Sequence, residues 1–275
     1  MTTLSGKTIL MSGGSRGIGL AIALRAAADG ANIALIAKTS EPDPRLQGTI
    51  HTAAAAIEKA GGQALPIVGD VRDDATIELA VAQTAERFRG IDIVVNNASV
   101  LNLSGTTALE PKRYDLMQDV NVRGTFMLTR AAIPHLVQAE DPKVLTLSPP
   151  ISLDPKWFAT HPAYTMAKYG MTMAALGFAH ELADLGISST ALWPATLVAT
   201  DAIANLPGGE AMVAASRRPE IVADAAYEVL TTAGQALNGQ TLIDEELLRE
   251  RGVTDFAPYS MTGRDEGLAP DMFLG

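Results

Sequence analysis

Two side chains in the second half of the chain have the chemical groups and the spacing that suit proton transfer. Tyr164 and Lys168 are four residues apart, so a helix would place them on one face, one turn from each other. A phenol, with a pKa of about 10, is a poor base at neutral pH, and a neighbouring ammonium favours the phenolate and lowers that pKa. The pair could therefore give a proton to a carbonyl oxygen or take one from an alcohol.

A serine that polarises the same oxygen would complete such a site, and two serines precede the tyrosine. Ser148 ends the apolar run "KVLTLS", and Ser152 follows it after Pro149 and Pro150. Local sequence alone leaves open which of the two faces the tyrosine.

The elements that would position these residues alternate along the chain. Short apolar runs predict strands at 7–12, 32–38, 64–71, 91–98, 143–148, 187–194 and 240–244. Helical patterns lie between them at 17–30, 52–61, 73–90, about 111–137, about 162–184 and about 219–233. Continuous apolar strands, each followed by a helix, indicate an α/β fold with a doubly wound parallel sheet of about seven strands and helices on both faces.

This pattern has no internal break, so residues 1–252 are predicted to form a single domain. Residues 253–275 lack any periodicity. We expect them to form an irregular C-terminal tail, packed on a neighbouring subunit.

Composition bounds the class of protein. The 275 residues are 47% hydrophobic and carry a formal net charge of −10, which argues against nucleic-acid binding through phosphates. The absence of cysteine excludes disulfides and thiolate metal sites, and no His or acidic cluster has metal-ligand spacing, so we predict no metal. Neither a signal peptide nor a membrane span of about 20 apolar residues is visible, so we expect a cytoplasmic protein without membrane partners.

A glycine-rich turn, "SGGSRGIG", joins the first predicted strand to the first helix. Glycines at this place permit a tight turn and a close approach of the backbone to a pyrophosphate, which then lies at the helix N-terminus. The spacing is G-x-x-x-G-x-G rather than the more familiar G-x-G-x-x-G. The strand–turn–helix context favours a dinucleotide site over a plain turn. The predicted cofactor-binding residues of this turn are Gly13, Ser15, Arg16, Gly17, Ile18 and Gly19.

The end of the second strand predicts which nicotinamide cofactor binds. An acid there would bind a ribose 2′-hydroxyl, whereas a cation would bind a 2′-phosphate. This strand ends in Lys38, Arg16 lies nearby in the glycine turn, and no acid is present, so NADP(H) is preferred over NAD(H). The alternative is that both cations are solvated surface charges. The ends of the third and fourth strands would complete the cofactor site with Asp70, Val71, Asn97, Ala98 and Ser99.

Asn121, in "DVNVRG", lies inside a helical pattern. Asparagine is unfavourable in a helix interior because its side chain competes for backbone hydrogen bonds. We interpret it as a kink that could hold a water next to Lys168 and open a proton path. The alternative is a solvent-facing asparagine.

Together these motifs, with "YTMAK" at the tyrosine, resemble the short-chain dehydrogenase/reductase family over about residues 5–245. The segments "SPPISLDPKWF", "LWPATLVAT" and "PDMFL" are similar to its hydroxysteroid dehydrogenase-like subgroup, some members of which carry a sterol-carrier domain after the tail. The resemblance implies a Rossmann-like fold, hydride transfer with NAD(P), an Asn–Ser–Tyr–Lys catalytic set and a homodimer or homotetramer. It assigns catalytic roles to Asn121, Tyr164 and Lys168, and a ribose contact to Lys168.

The resemblance also places residues 194–200 over the nicotinamide carboxamide, although Ala195 replaces the glycine common in the family. The cofactor contacts implied there are Pro194, Thr196, Val198 and Thr200.

The serine departs from the family pattern. Aligned from the strand start, Pro149 takes the serine's position and Ser148 comes one residue early. Strand side chains alternate faces, so Ser148 would point away unless the chain twists at the prolines, whereas the loop could bring Ser152 back. We slightly prefer Ser152. A site without a serine is the third alternative, with some loss of transition-state stabilisation.

We therefore predict an NADP(H)-dependent oxidoreductase acting on a small-molecule carbonyl/alcohol substrate. Apolar residues in the loops after the strands, such as Trp157, Phe158 and Ile203, suggest a hydrophobic substrate. A non-catalytic NADPH-binding protein is one alternative, motivated by the displaced serine. Enoyl reduction or dehydration on the same scaffold is another.

Overall fold

The computed structural model describes residues 3–44 and 46–274. Its centre is a parallel sheet of seven strands in the order β3-β2-β1-β4-β5-β6-β7. The strands are β1 Thr8–Ser12, β2 Asn32–Ala37, β3 Gln63–Val68, β4 Ile93–Asn96, β5 Lys143–Leu147, β6 Ser188–Trp193 and β7 Thr241–Ile243. The order reverses between β1 and β4, and ligands of such sheets bind in the crevice outside the carboxyl ends of the strands at that point.

Helices cover both faces of the sheet, which confirms the predicted doubly wound α/β fold. The longer helices are α1 Gly17–Ala27, α2 Ile50–Ala60, α3 Asp74–Phe88, α4 Pro111–Gln118, α5 Gly124–Leu136, α7 Pro162–Glu181 and α10 Glu220–Thr231. Shorter helices, which the periodicity did not predict, are α6 Lys156–Ala159, α8 Asp201–Ala204, α9 Gly209–Ala214 and α11 Asp244–Glu250.

Side chains of each central strand alternate between two apolar cores. Ile9 and Met11 of β1 face the core that α1, α2 and α10 cover, while Leu10 faces the core under α3, α5 and α7. All three side chains are fully buried. This period of two on both faces explains why the strands read as continuous apolar runs in the sequence.

The helix predicted over about 111–137 is interrupted. A π-helical turn, Asp119–Arg123, separates α4 from α5 and contains Asn121. Such turns insert an extra residue into the helix and are frequent at functional sites.

The described part of the C-terminal tail, residues 253–274, lies against its own chain rather than extending away from it. Phe256 and Phe273 are 1% and 2% exposed. Backbone bonds fix its end across the segment after β6: Leu197 N–H donates to Ala269 O at 2.9 Å, and Asp271 N–H donates to Ala195 O at 3.1 Å. Burial of the two aromatic rings supplies the physical reason for this packing.

Candidate active site

A cleft lies at the carboxyl ends of β1 to β4, where the strand order reverses. It encloses a cavity of about 590 Å³. Most of the predicted cofactor residues line it: Gly13, Ser15, Arg16, Gly17, Ile18, Lys38, Asp70, Val71, Asn97, Ala98, Ser99 and Thr200. We refer to it as the β1–β4 cleft. Residues from four separate sequence motifs thus meet at one ligand-sized site.

The floor of this cleft is a close contact between the glycine turn and the end of β4. A Cβ on Gly13 would lie 2.8 Å from Ala98 Cα, and one on Gly19 would lie 2.5 Å from Asn97 Nδ2. Gly13 and Gly17 have φ values of +74° and +55°, which side-chain-bearing residues rarely adopt. Asn97 Nδ2 donates to Gly13 O at 2.8 Å and locks the contact.

The turn leaves the N-terminus of α1 open to an anion. No side chain caps that terminus, and its first turn contains no acidic residue. The first N–H groups of the helix therefore have no side-chain acceptor, and the helix dipole favours a negative ligand there. The cavity, the glycine cradle and this open terminus fit a dinucleotide pyrophosphate.

The two predicted specificity cations lie on the cleft wall but already have protein partners. Arg16 donates to Gln47 O at 3.2 Å and Gly48 O at 3.1 Å. Lys38 Nζ is 3.0 Å from Asp70, and Lys38 is 62% exposed. Hydrogen bonds from Arg72, with Lys38 second, hold the pKa of Asp70 well below its usual range. Asp70 is therefore an ionised carboxylate neutralised by two cations.

Tyr164 and Lys168 lie in the first half of α7, as the spacing predicted. Lys168 Nζ donates to Leu147 O, at the end of β5, at 2.8 Å and lies 4.8 Å from the centre of the Trp193 ring. Tyr164 is 7% exposed and Lys168 is 3% exposed. α7 thus presents both groups at the carboxyl end of the sheet, one strand beyond β4.

Burial dominates the protonation of this pair. It lowers the pKa of Lys168 to about 7, against the opposing effect of Asp271. It raises the pKa of Tyr164, and the Asp271 carboxyl acts in the same direction. The pKa of Tyr164 is thus raised, not lowered as its spacing from Lys168 predicts, because burial removes the phenolate from water.

Asn121 is fully buried in the π-helical turn, not solvent-facing. Its amide forms two bonds with one residue of the loop after β4: Val100 N–H donates to Oδ1 at 2.7 Å, and Nδ2 donates to Val100 O at 3.1 Å. The side chain therefore fixes that loop beside the cleft.

The two candidate serines have different surroundings. Ser148 Oγ is buried and has no hydrogen-bond partner among the described residues. Ser152 is partly exposed, and its Oγ accepts from Asp154 N–H at 3.3 Å. The backbone of Ser152 also holds the hydroxyl of Tyr169, which donates to its carbonyl at 2.8 Å. Neither hydroxyl bonds to Tyr164 within the described part of the chain.

Residues 194–200, the segment expected over the nicotinamide, lie in two different environments. Thr200 lines the β1–β4 cleft. By contrast, Thr196 pairs with Pro270 and Val198 pairs with Arg217, so the tail and its neighbours cover this backbone. Pro194, Thr196 and Val198, like Gly19, are absent from the cleft lining, and Gly19 instead packs beneath it.

Sequence reasoning placed no site residue in the tail, yet two tail residues lie beside Tyr164 and Lys168. The Phe273 ring is 6.0 Å from the Tyr164 ring. Burial raises the pKa of Asp271 to about 7, while the Met272 N–H and Lys168 act in the opposite direction. The run of apolar residues in "PDMFL" was the available signal, because Met272, Phe273 and Leu274 are consecutive.

A parallel sheet with a glycine turn at its switch point, beside a helix that bears tyrosine and lysine one turn apart, defines a nicotinamide-dependent oxidoreductase. The family model described as short chain dehydrogenase matches residues 7–210. The chain belongs to this family, the short-chain dehydrogenases/reductases.

Curated relatives support the predicted subgroup. Hydroxysteroid dehydrogenase-like protein 2 of Danio rerio is 49% identical over 271 residues, which are 98% of this chain and 64% of that protein. The Rattus norvegicus protein of the same name is also 49% identical, with 98% and 51% covered. The chain thus spans about half to two thirds of the length of these relatives.

Solved structures show the same fold. A putative dehydrogenase from Xanthomonas campestris is 53% identical with a TM-score of 0.95, covering 99% of both chains. A short chain dehydrogenase from Burkholderia cenocepacia, in complex with NADP, is 29% identical with a TM-score of 0.74, covering 88% of this chain and 97% of that chain.

Among the described residues, no helix is long and apolar enough to cross a membrane. The same residues contain no group of three or more histidine or acidic side chains placed to hold a metal ion.

Proposed function

We propose that this protein transfers a hydride between NADP(H) and a carbonyl/alcohol substrate, with Tyr164 as the acid/base. The observation that carries the proposal is the buried Tyr164–Lys168 pair at the carboxyl end of β5, next to the β1–β4 cleft. Hydride donors and proton donors must meet at one carbonyl group, and this is where the two sites adjoin.

The nicotinamide, when bound, supplies or accepts the hydride. Residues of the chain itself donate and accept the proton. Because its pKa is raised, Tyr164 carries its proton at neutral pH and donates it to the carbonyl oxygen as the alcohol forms. Lys168, with a pKa of about 7, can hold or release a proton near neutrality and return one to the phenolate. Asn121 supports this path by fixing the Val100 backbone.

The cofactor is held by the glycine turn and the ends of β2 to β4. Arg16 and Lys38 are assigned to the 2′-phosphate of NADPH. Their position on the cleft wall supports this, as does the pairing of the Asp70 carboxylate with Lys38 and Arg72, which neutralises its charge. The NADP complex of the Burkholderia cenocepacia neighbour is consistent with the same preference.

Ser152 stays our choice for the group that polarises the substrate oxygen. Its hydroxyl is partly exposed, whereas that of Ser148 is enclosed. The loop of Ser152 is tied to α7 through the Tyr169 hydroxyl, one residue beyond Lys168. A hydroxyl that must reach a substrate needs an accessible side, which favours Ser152.

We further propose a hydrophobic substrate and a cytoplasmic homodimer or homotetramer. Exposed Met166 and Met173 lie seven residues apart on α7 and so share one helix face. An apolar stripe of this kind is suited to pairing with a second copy of the chain.

The test is NADPH oxidation across a panel of aldehydes, ketones and enoyl compounds, with Tyr164→Phe beside the wild type. We expect ketone or aldehyde reduction that falls by about 10²- to 10⁴-fold in the variant, with NADPH affinity unchanged. Turnover retained in Tyr164→Phe would refute its role as the acid/base. Turnover with enoyl compounds alone would replace carbonyl reduction with the alternative reaction.

A further inference from the structure

The Phe273 side chain of the tail is enclosed by five rings, which we call the aromatic box. The box residues and their ring distances to Phe273 are Tyr169 at 5.2 Å, Trp157 at 5.5 Å, Tyr164 at 6.0 Å, Trp193 at 6.0 Å and His161 at 6.4 Å. Phe273 is only 2% exposed. The box is therefore an apolar site the size of one ring. Tyr164, the proposed acid/base, forms part of its wall, and Phe273 of the same chain fills it.

This filling closes the catalytic end of the molecule. A substrate oxygen must come within hydrogen-bond distance, about 2.6–3.2 Å, of the Tyr164 hydroxyl. Tyr164 is 7% exposed, and neither it nor Lys168 lines the β1–β4 cleft. Some part of the box or its contents must therefore move before a carbonyl compound that bears a bulky apolar group can meet the phenol.

The walls of the box are held more firmly than its contents. Tyr164 and Tyr169 belong to α7, and Trp193 ends a buried strand of the sheet. Phe273, by contrast, has a φ of +71°, a left-handed conformation that is strained for a residue with a side chain. Moving Phe273 out of the box would release that strain.

The tail also has the geometry to move as a unit. Two glycines with positive φ, Gly263 and Gly267, precede its last turn. Beyond them, four hydrogen bonds attach it to the rest of the described chain. Three are backbone bonds, to Ala195, Leu197 and Ala215, and in the fourth Trp193 Nε1 donates to Met272 O at 2.9 Å. These bonds and the ring contacts of Phe273 have to break for the end of the chain to leave the box.

We propose, on the basis of the function proposed above, that Phe273 holds the place of the substrate's apolar group. A carbonyl compound that bears a ring-sized apolar group next to the carbonyl carbon enters by displacing the Phe273 side chain. The five rings then enclose that group, and the carbonyl oxygen reaches Tyr164. Phe273 is thus a specificity-determining residue for the size and apolarity of the substrate.

The kinetic test uses cyclohexyl methyl ketone and acetone, which share a methyl ketone but differ in the ring. Displacement predicts that Phe273→Ala lowers KM for cyclohexyl methyl ketone by about tenfold, because the substrate no longer competes with the ring. KM for acetone and the NADPH affinity should stay nearly constant. Phe273→Leu, which refills the box, should resemble the wild type. A KM for cyclohexyl methyl ketone that is unchanged or raised in Phe273→Ala would overturn the proposal, since Phe273 would then be a fixed wall.

Phe273→Gly is a second variant that controls for misfolding of Phe273→Ala, because glycine adopts a positive φ without strain and alanine does not. It should lower the same KM at least as much as Phe273→Ala does.

A measurement on the unmutated protein separates this proposal from the proposed reaction. Hydrogen exchange is followed in the C-terminal peptide, residues 268–275, with NADP⁺ present and cyclohexyl methyl ketone added or omitted. Displacement predicts faster exchange, because the Asp271 N–H bond to Ala195 O is released. Slower or unchanged exchange contradicts it. If no carbonyl compound is reduced, the proposed reaction fails, while the exchange result still decides the place of Phe273.

Discussion

The two ends of the carboxyl edge of the sheet are built in opposite ways. The β1–β4 cleft is open, has a volume of about 590 Å³ and is lined largely by loops that directly follow its own strands. The catalytic end, beside β5 and β6, is closed, and its proposed acid/base Tyr164 is 7% exposed. What closes it is Phe273, from the far end of the chain.

The contrast is consistent with the two tasks that we propose for this sheet. Binding a dinucleotide needs backbone N–H groups and space, which glycines and strand ends supply locally. Proton transfer needs groups whose pKa values are moved by exclusion of water, and burial here moves those of Tyr164 upward and Lys168 downward. An open cleft could not produce those shifts.

Among the predictions that distinguish the two ends, the largest expected change in kcat/KM concerns the serines at the closed end. Ser152→Ala should lower kcat/KM for a ketone by about 100-fold, as loss of one oxyanion donor does. Ser148→Ala should change it little, since the Ser148 hydroxyl is buried and has no hydrogen-bond partner in the described part of the chain. Steady-state kinetics on the two variants decide the assignment, and the reverse order would transfer the role to Ser148.

At the open end, Gly19→Ala tests the glycine cradle. The new Cβ would lie 2.5 Å from Asn97 Nδ2 and 2.6 Å from Gly13 O, so the floor of the cleft must shift at a cost of about 1–3 kcal/mol. We expect NADPH affinity to fall by roughly 10- to 100-fold, measured by titration calorimetry.

Gly177→Ala is the matched control for that variant. It lies in α7, and its added Cβ meets no atom within 4 Å, so it should stabilise the fold by about 0.5–1 kcal/mol without affecting NADPH. Equal NADPH affinity in the two glycine variants would mean that the cleft floor does not bind the cofactor.

A smaller effect is expected at the cofactor-specificity position. Arg16→Ala removes one charge-assisted donor from the cleft wall, and NADPH affinity should fall about tenfold while NADH affinity stays constant. NADH serves as the internal control because it lacks the 2′-phosphate. Loss of both affinities to the same extent would show that Arg16 only shapes the turn.

The last prediction is a pH dependence of stability at the closed end. The pKa of Asp271 is raised from 3.8 to about 7, so the folded chain holds a proton there that the unfolded chain releases. Its stabilising contribution is present below about pH 4 and is lost as the pH rises toward 7.

Asp271→Asn should remove this dependence, so the wild type should lose stability relative to the variant between pH 4 and 7. Urea denaturation across that range measures the difference, and exposed Asp184→Asn controls for the loss of one carboxyl. Lys168, Tyr164 and Asp244 are the other titratable groups whose charges couple to this site. A difference that grows in the opposite direction would refute the assignment to Asp271.

Much of the open end followed from local sequence. The alternation of apolar runs and helical patterns predicted all seven strands, and the signal is clearest in central strands such as β1, β2 and β4, which are buried on both faces. The glycine turn, Lys38 and the loop at Asn97 were assigned from their places after strands, and they do lie together at the cleft. Parallel strands bring their carboxyl ends to one edge, so sequence order was sufficient there.

The sequence predicted only part of the structure of the closed end. The spacing of Tyr164 and Lys168 correctly placed both on α7. The direction of the shift in the Tyr164 pKa was wrong, because nothing in the local sequence indicates how much protein surrounds the phenol. The helix expected over about 111–137 is broken at a π-helical turn, and the Asn121 side chain there bonds to a loop some twenty residues earlier.

Periodicity and short motifs were sufficient to predict the sheet, the family and the proposed proton-transfer pair. The contacts of Phe273 and Asp271 with that pair follow only from the tertiary fold. Their position depends on contacts between segments about a hundred residues apart, formed because two aromatic rings in the tail are removed from water. Local spacing carries no information about such contacts.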